Sequence, residues 1–159
     1  MIISCNRIDI NSEINKGINQ YEQGKTNDAI STFSSIINET DTCLTCYLYR
    51  AFAYKSVYQY EKALNDINHL IKSDTSDALG YANRASIYYC QKKYQKSLLD
   101  FKKALKINPE NTIFYNPICH LLFITGEKDS VYYYYQKAIN VNDTIFDKEI
   151  IEYCNNLKK

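Results

Sequence analysis

YANRASIYYCQKKYQKSLLDFKKALKINP occupies residues 81–109. Tyr81, Ala85, Tyr88 and Tyr89 recur at intervals of three and four, and Leu98, Phe101, Ala104 and Leu105 do the same. That spacing puts each set on one face of a helix. Gln91-Lys92-Lys93 between the runs is too polar for a core and reads as a turn. Pro109 closes the second run, where it stops a helix without removing an internal hydrogen bond. The stretch therefore predicts a helical hairpin.

The hairpin recurs. Tyr47, Arg50, Ala51, Tyr54, Tyr60, Lys62, Leu64 and Asp66 are matched 34 residues later by Tyr81, Arg84, Ala85, Tyr88, Tyr94, Lys96, Leu98 and Asp100. A looser unit over 10–43 keeps Gly17, Gly24, Ala29 and Phe33 in register, and one over 112–145 keeps Tyr115, Gly126, Tyr135 and Ala138. A small residue at 17, 51 and 85 faces a large one at 33, 67 and 101, which lets two helices approach closely. A fixed period of this length predicts stacked supersecondary units.

This pattern resembles the tetratricopeptide repeat. The third unit carries most of it in Tyr81, Ala85, Tyr88, Ser97, Phe101, Ala104 and Pro109. Departures are Ser97 for the usual Ala, Thr75 and Asp143 in place of Pro, and Cys119 for Gly or Ala in the last unit. The resemblance implies an all-α, right-handed α-solenoid of helix-turn-helix hairpins. Its units are 10–43, 44–77, 78–111 and 112–145, after a tail over 1–9. Residues 146–159 follow as a capping helix, with Phe146, Ile150, Ile151, Cys154 and Leu157 on its apolar side. Asn116 is expected to cap a shortened helix whose first residue is Pro117.

What the resemblance implies about function is protein binding on the concave side, which first helices line. Tyr21, Tyr49, Phe52, Lys55, Asn83, Ser86, Tyr89 and His120 fall at such positions, with Tyr49, Phe52, Asn83 and Tyr89 as the expected hot spot. Large aromatic faces and amides suit an extended peptide or a partner helix. The same aromatics also suit packing between hairpins. Tyr81-Ala82-Asn83-Arg84-Ala85 resembles one helix of the clamp with which a subclass of the family holds a chaperone's terminal carboxylate. Ile14 and Ile18 stand where that clamp needs Lys and Asn, so the clamp is incomplete.

Chemistry is sparse. The four glycines are isolated, so no phosphate-cradling loop exists, and no nucleophile elbow or H-E-x-x-H motif appears. His69 reads as a solvated side chain, and His120 has no evident carboxylate or nucleophile partner. Neither an enzyme nor a cofactor or metal site is expected. A net charge of +1 without a basic stripe points away from nucleic acid. No apolar run is long enough to span a bilayer.

Cysteines raise two further questions. Cys90, Cys119 and Cys154 read as apolar fillers inside helices. Cys43 and Cys46 form a C-x-x-C at a helix start, for which a structural role ranks first, a local disulfide second and redox or metal chemistry last. Met1-Ile2-Ile3-Ser4-Cys5 resembles the end of a bacterial lipoprotein signal, which would tether the chain through lipid on Cys5. The leading expectation is a non-enzymatic interaction scaffold. Its rivals are an envelope-anchored assembly component and a thiol-active protein. Cytoplasm and cell envelope both remain open.

Overall fold

The computed structural model describes residues 9–141 and 146–157. Cys5 and Asp143 lie outside these residues. The described residues form α-helices, one 3₁₀ turn and connecting loops, in two compact units divided after Ser73.

The first unit holds α1 (Ile10–Glu22), α2 (Thr26–Glu39), α3 (Leu44–Ser56) and α4 (Tyr60–Ser73). Its helices pair as hairpins, α1 with α2 and α3 with α4, and α2 also packs on α3. Gly17 is what permits the first pairing. A Cβ there would lie 2.7 Å from Phe33 Cε1, and Phe33 is wholly buried with nowhere to retreat. Ala29, Phe33, Ile36 and Cys46 form the core beside it, with Ile14, Ile18, Tyr21 and Tyr49 packed around them.

The second unit holds α5 (Ala78–Cys90), α6 (Tyr94–Ile107), a 3₁₀ turn (Thr112–Phe114), α7 (Tyr115–Ile124), α8 (Lys128–Asn140) and α9 (Lys148–Asn156). Hairpins again pair α5 with α6 and α7 with α8, while α9 lies on α7 and α8. Ile150 and Cys154 are its buried side, and Tyr153 meets Phe123 at 5.8 Å between ring centres. Leu157, expected on the same side, is 52% exposed, because the helix ends at Asn156.

Three geometric devices repeat at the sequence period of 34. The first is the tight turn inside each hairpin. Gly24, Tyr58, Lys92 and Gly126 all have positive φ, at 75°, 60°, 59° and 85°. The next residue's amide reaches back across the helix end in every case: Lys25 N to Gln20 O, Gln59 N to Tyr54 O, Lys93 N to Tyr88 O and Glu127 N to Leu122 O. This is the paired-bond C-terminus that satisfies the last carbonyls of a helix.

The second device is the helix start. Asp9 accepts from Asn11 N at 3.1 Å, Asp77 from Leu79 N at 2.9 Å and Gly80 N at 3.0 Å, and Asn111 from Ile113 N at 3.3 Å. Cys43 holds the equivalent place before α3, where its Sγ accepts from Cys46 N at 3.3 Å. Asn116 was expected to cap the fourth first helix. Asn111 does so instead, through the 3₁₀ turn, and α7 begins at Tyr115. Pro117 still falls in the first turn, where its missing N–H has no partner to lose.

The third device is an ion pair within a hairpin. Arg50 grips Asp66 through Nε at 2.9 Å and NH2 at 2.8 Å, and Arg84 grips Asp100 through the same atoms at 2.7 and 2.9 Å. Both carboxylates are buried, and the hydrogen bond to each raises its arginine's pKa against the opposing effect of burial. Each guanidinium also lies 5.5 Å from the ring centre of Tyr47 or Tyr81. The same rings also meet His69, stacked on Tyr47 at 4.0 Å, and Lys103, whose Nζ lies 4.1 Å from the centre of Tyr81. His69 is therefore not the freely solvated side chain expected; it is half-buried against Tyr47.

Candidate binding surfaces and cleft

The residues singled out from the sequence gather at two places. In the first unit, Tyr21 meets Tyr49 edge-on at 6.3 Å, and Tyr49 stacks on Phe33 at 6.0 Å. Tyr49 also meets Phe52 at 6.0 Å, and Lys55 Nζ sits 5.8 Å from the Phe52 ring centre. All four residues are half-buried. Tyr21 and Tyr49 thus help close the core between α1 and α3, and Phe52 with Lys55 continues that strip along α3. Ile14 and Ile18 pack on the same core, so the missing clamp residues are replaced by hydrophobic packing.

In the second unit, Ser86, Tyr89 and His120 line a cleft of about 360 Å³ with Cys90, Phe101, Asn116, Pro117 and Asp147. Asn83 lies on the same helix, half-buried, but outside the cleft. Tyr89 Oη lies 3.0 Å from His120 Nε2, and His120 Nδ1 lies 2.9 Å from Asp147 Oδ2. A carboxylate only accepts, so Nδ1 carries a proton and donates to Asp147; in the neutral ring Nε2 then accepts from the Tyr89 hydroxyl.

This corrects two expectations. His120 does have a carboxylate and a hydroxyl partner, brought from 27 residues downstream and 31 upstream. Cys90 is not a buried filler; it ends α5 and is exposed at the cleft. Asp147 is the residue before α9, yet its side chain makes no bond to that helix's amides. It is turned to His120 and ties the start of α9 to α7. Both ring nitrogens of His120 are thereby engaged, which suits positioning better than proton transfer.

Cys43 and Cys46 are joined in a disulfide, the reading ranked second from the sequence. Cys119 and Cys154 are buried fillers, and the Cys119 thiol faces Val131 O at 3.8 Å. The Tyr132–Tyr135 run divides by helical spacing. Tyr135 is buried and meets Phe146 at 5.0 Å, while Tyr133 is 54% exposed with Lys137 Nζ 4.7 Å from its ring centre. No cluster of three metal-ligating side chains occurs among the described residues. No helix among them is long and apolar enough to cross a membrane.

Residues 78–111 match the family model of the tetratricopeptide repeat. They form one tetratricopeptide repeat. It is the hairpin of α5 and α6, with the buried Ser97 hydroxyl donating to Ala85 O at 2.8 Å where the family has Ala. Among solved structures, MamA aligns with a TM-score of 0.77 at 19% identity, over 85% of this chain and 79% of that one. MamA from Desulfovibrio magneticus RS-1, residues 41 to the end, aligns with a TM-score of 0.76 at 15% identity, over 84% and 76%. The first TPR of Spaghetti (RPAP3), bound to the HSP90 peptide SRMEEVD, aligns with a TM-score of 0.67 at 20% identity, over 74% and 93%. At such identities the likeness is one of fold: all-α, built of tandem helical hairpins, the solenoid class. No curated protein matches.

Proposed function

We propose that this chain is a protein-interaction scaffold whose first helices bind an extended peptide or a partner helix. The reading takes the hairpins as four tandem repeats, 10–43, 44–77, 78–111 and 112–145, with 146–159 as a cap. The repeat at 78–111 supports it, because a fold of this kind serves protein interaction, and one structure of similar fold holds a peptide. The observation that carries it is the cleft beside α5 and α7. Tyr89, Phe101 and Pro117 give it apolar walls, Ser86 and Asn116 supply hydrogen-bonding groups, and His120, held by Tyr89 and Asp147, presents its ring. A few polar groups on apolar walls is the make-up of a recognition pocket.

The expected ligand differs from the peptide on the RPAP3 repeat. That peptide ends in Glu-Glu-Val-Asp. Ile14 and Ile18 offer a carboxylate no cation or amide, and Asp147 beside the cleft repels one. A ligand read by aromatic contact and amide hydrogen bonds fits better, with Tyr49 and Phe52 as the principal contacts offered by the first unit and Asn83 and Tyr89 as those offered by the second. Tyr21, Lys55, Ser86 and His120 would flank them.

Crosslinked affinity capture with the full chain identifies the ligand. Phe52→Ala and Tyr89→Ala are then tested singly and together. The double variant should lose at least about tenfold in affinity while helical circular dichroism is retained. Leu99→Ser, at a residue 67% exposed on α6, should bind as wild type. Unchanged affinity in the double variant would rule out these faces as the binding surface.

A further inference from the structure

The cap position at the start of each first helix takes an oxygen acceptor in three hairpins: Asp9, Asp77 and Asn111. In the second it is sulfur. Cys43 Sγ receives the Cys46 amide at 3.3 Å while bonded covalently to Cys46 Sγ. Position 43 is thus built to hold an acceptor, and at the equivalent residue 77 a negatively charged one, against the free amides of a helix end.

The two sulfurs sit in unlike surroundings. Cys43 lies before the first turn of α3 and is partly exposed. Cys46 is wholly buried in the cluster of Ala29, Phe33 and Ile36. As a staple the bond contributes little. It spans three positions inside one helix start, and disulfide stabilisation grows with the loop enclosed. The asymmetry suits exchange: a reachable sulfur stabilised as an anion by helix amides, and a protected one close enough to displace it.

We propose that Cys43 and Cys46 form a thiol–disulfide exchange site whose reactants are external thiols and disulfides. In the reducing direction, an incoming thiolate attacks Cys43 Sγ and breaks the Cys43–Cys46 bond. The pair of electrons leaves with Cys46, which takes a proton from water. A second external thiolate attacks the outer sulfur of the mixed disulfide and releases Cys43 as the thiolate. The balance is two thiols oxidised to one disulfide, and the protein pair reduced by two electrons. Run in reverse, the Cys43 thiolate attacks an external disulfide, and Cys46 then displaces the bound thiol.

The test uses the full chain with Cys5→Ser and Cys90→Ser, which leaves the pair and the buried Cys119 and Cys154 as its cysteines. Glutathione is the probe, with alkylation and intact mass as the readout. The pair should interconvert reversibly across glutathione redox buffers with helical circular dichroism unchanged. Cys46→Ser should trap one glutathione on Cys43, and Cys43→Ser should trap at least tenfold less. Cys43→Asp, which restores the acceptor found at 77, should keep the fold and trap none. In the reduced chain that retains both cysteines, alkylation of Cys43 should titrate with a midpoint below the ~8.5 of a free thiol. A disulfide that resists reduction until the protein unfolds would overturn the proposal, as would a Cys43 midpoint at or above ~8.5.

Discussion

Arg50 and Asp66 are visible in the sequence as matches to Arg84 and Asp100, and their meaning lies in what they match. These residues recur because the two hairpins make the same contact there. Arg grips Asp across the hairpin, with Tyr against the guanidinium, and Lys62 and Lys96 lie 5.4 and 5.7 Å from the ring centres of Tyr54 and Tyr88. Asp66 retains little exposure, and Arg50 only 15% at its side chain. Losing one partner leaves the other charge stranded, whereas losing both leaves a site that apolar groups fill. Asp66→Ala should therefore destabilise by about 3 kcal/mol in urea denaturation. Arg50→Leu with Asp66→Leu should recover most of that loss. A cost under ~1 kcal/mol for the single change would mean the pair behaves as a solvated surface bridge.

Within the hairpin element, the turn at 24, 58, 92 and 126 needs a left-handed residue, and glycine supplies it at only two of the four. For Tyr58 and Lys92 that backbone costs roughly 1–2 kcal/mol, partly offset because a side chain restricts the unfolded chain. Lys92 is exposed at the turn. Lys92→Gly should thus raise stability by about 0.5 kcal/mol, read as a higher urea midpoint at unchanged slope. Tyr58→Gly should gain less, because it also gives up the ring contact with Tyr60 at 6.1 Å. The hairpins themselves were legible from the sequence because apolar spacing and a fixed period are local signals. Gly17 against Phe33 was legible too, since a small residue opposite a large one is a pattern of residue types. The caps at 9, 43, 77 and 111 share the period but differ in type, so their common role emerges only from the hydrogen bonds. Nothing local to His120 announces Asp147, because their contact depends on where α9 lands.

For the whole molecule, stability in stacked hairpins is a sum of local units and their neighbour contacts, so an end unit depends on its cover. In the second unit α9 provides that cover: Ile150 and Cys154 are buried on it, Tyr153 meets Phe123, and Asp147 holds His120. Ending the chain at Asn140 removes all of these and bares the surface of α7 and α8 that α9 covers. Burial of Ile150 and its neighbours is worth at least about 3 kcal/mol. Hydrogen exchange should then lose protection across α7 and α8, with dye binding to newly exposed apolar surface. The helices of the first unit should keep their protection, because their core of Ala29, Phe33, Ile36 and Cys46 is complete within residues 9–73. Loss of protection spread evenly over all the helices would instead make the chain one cooperative body, and α9 a stabiliser of the whole rather than of its end.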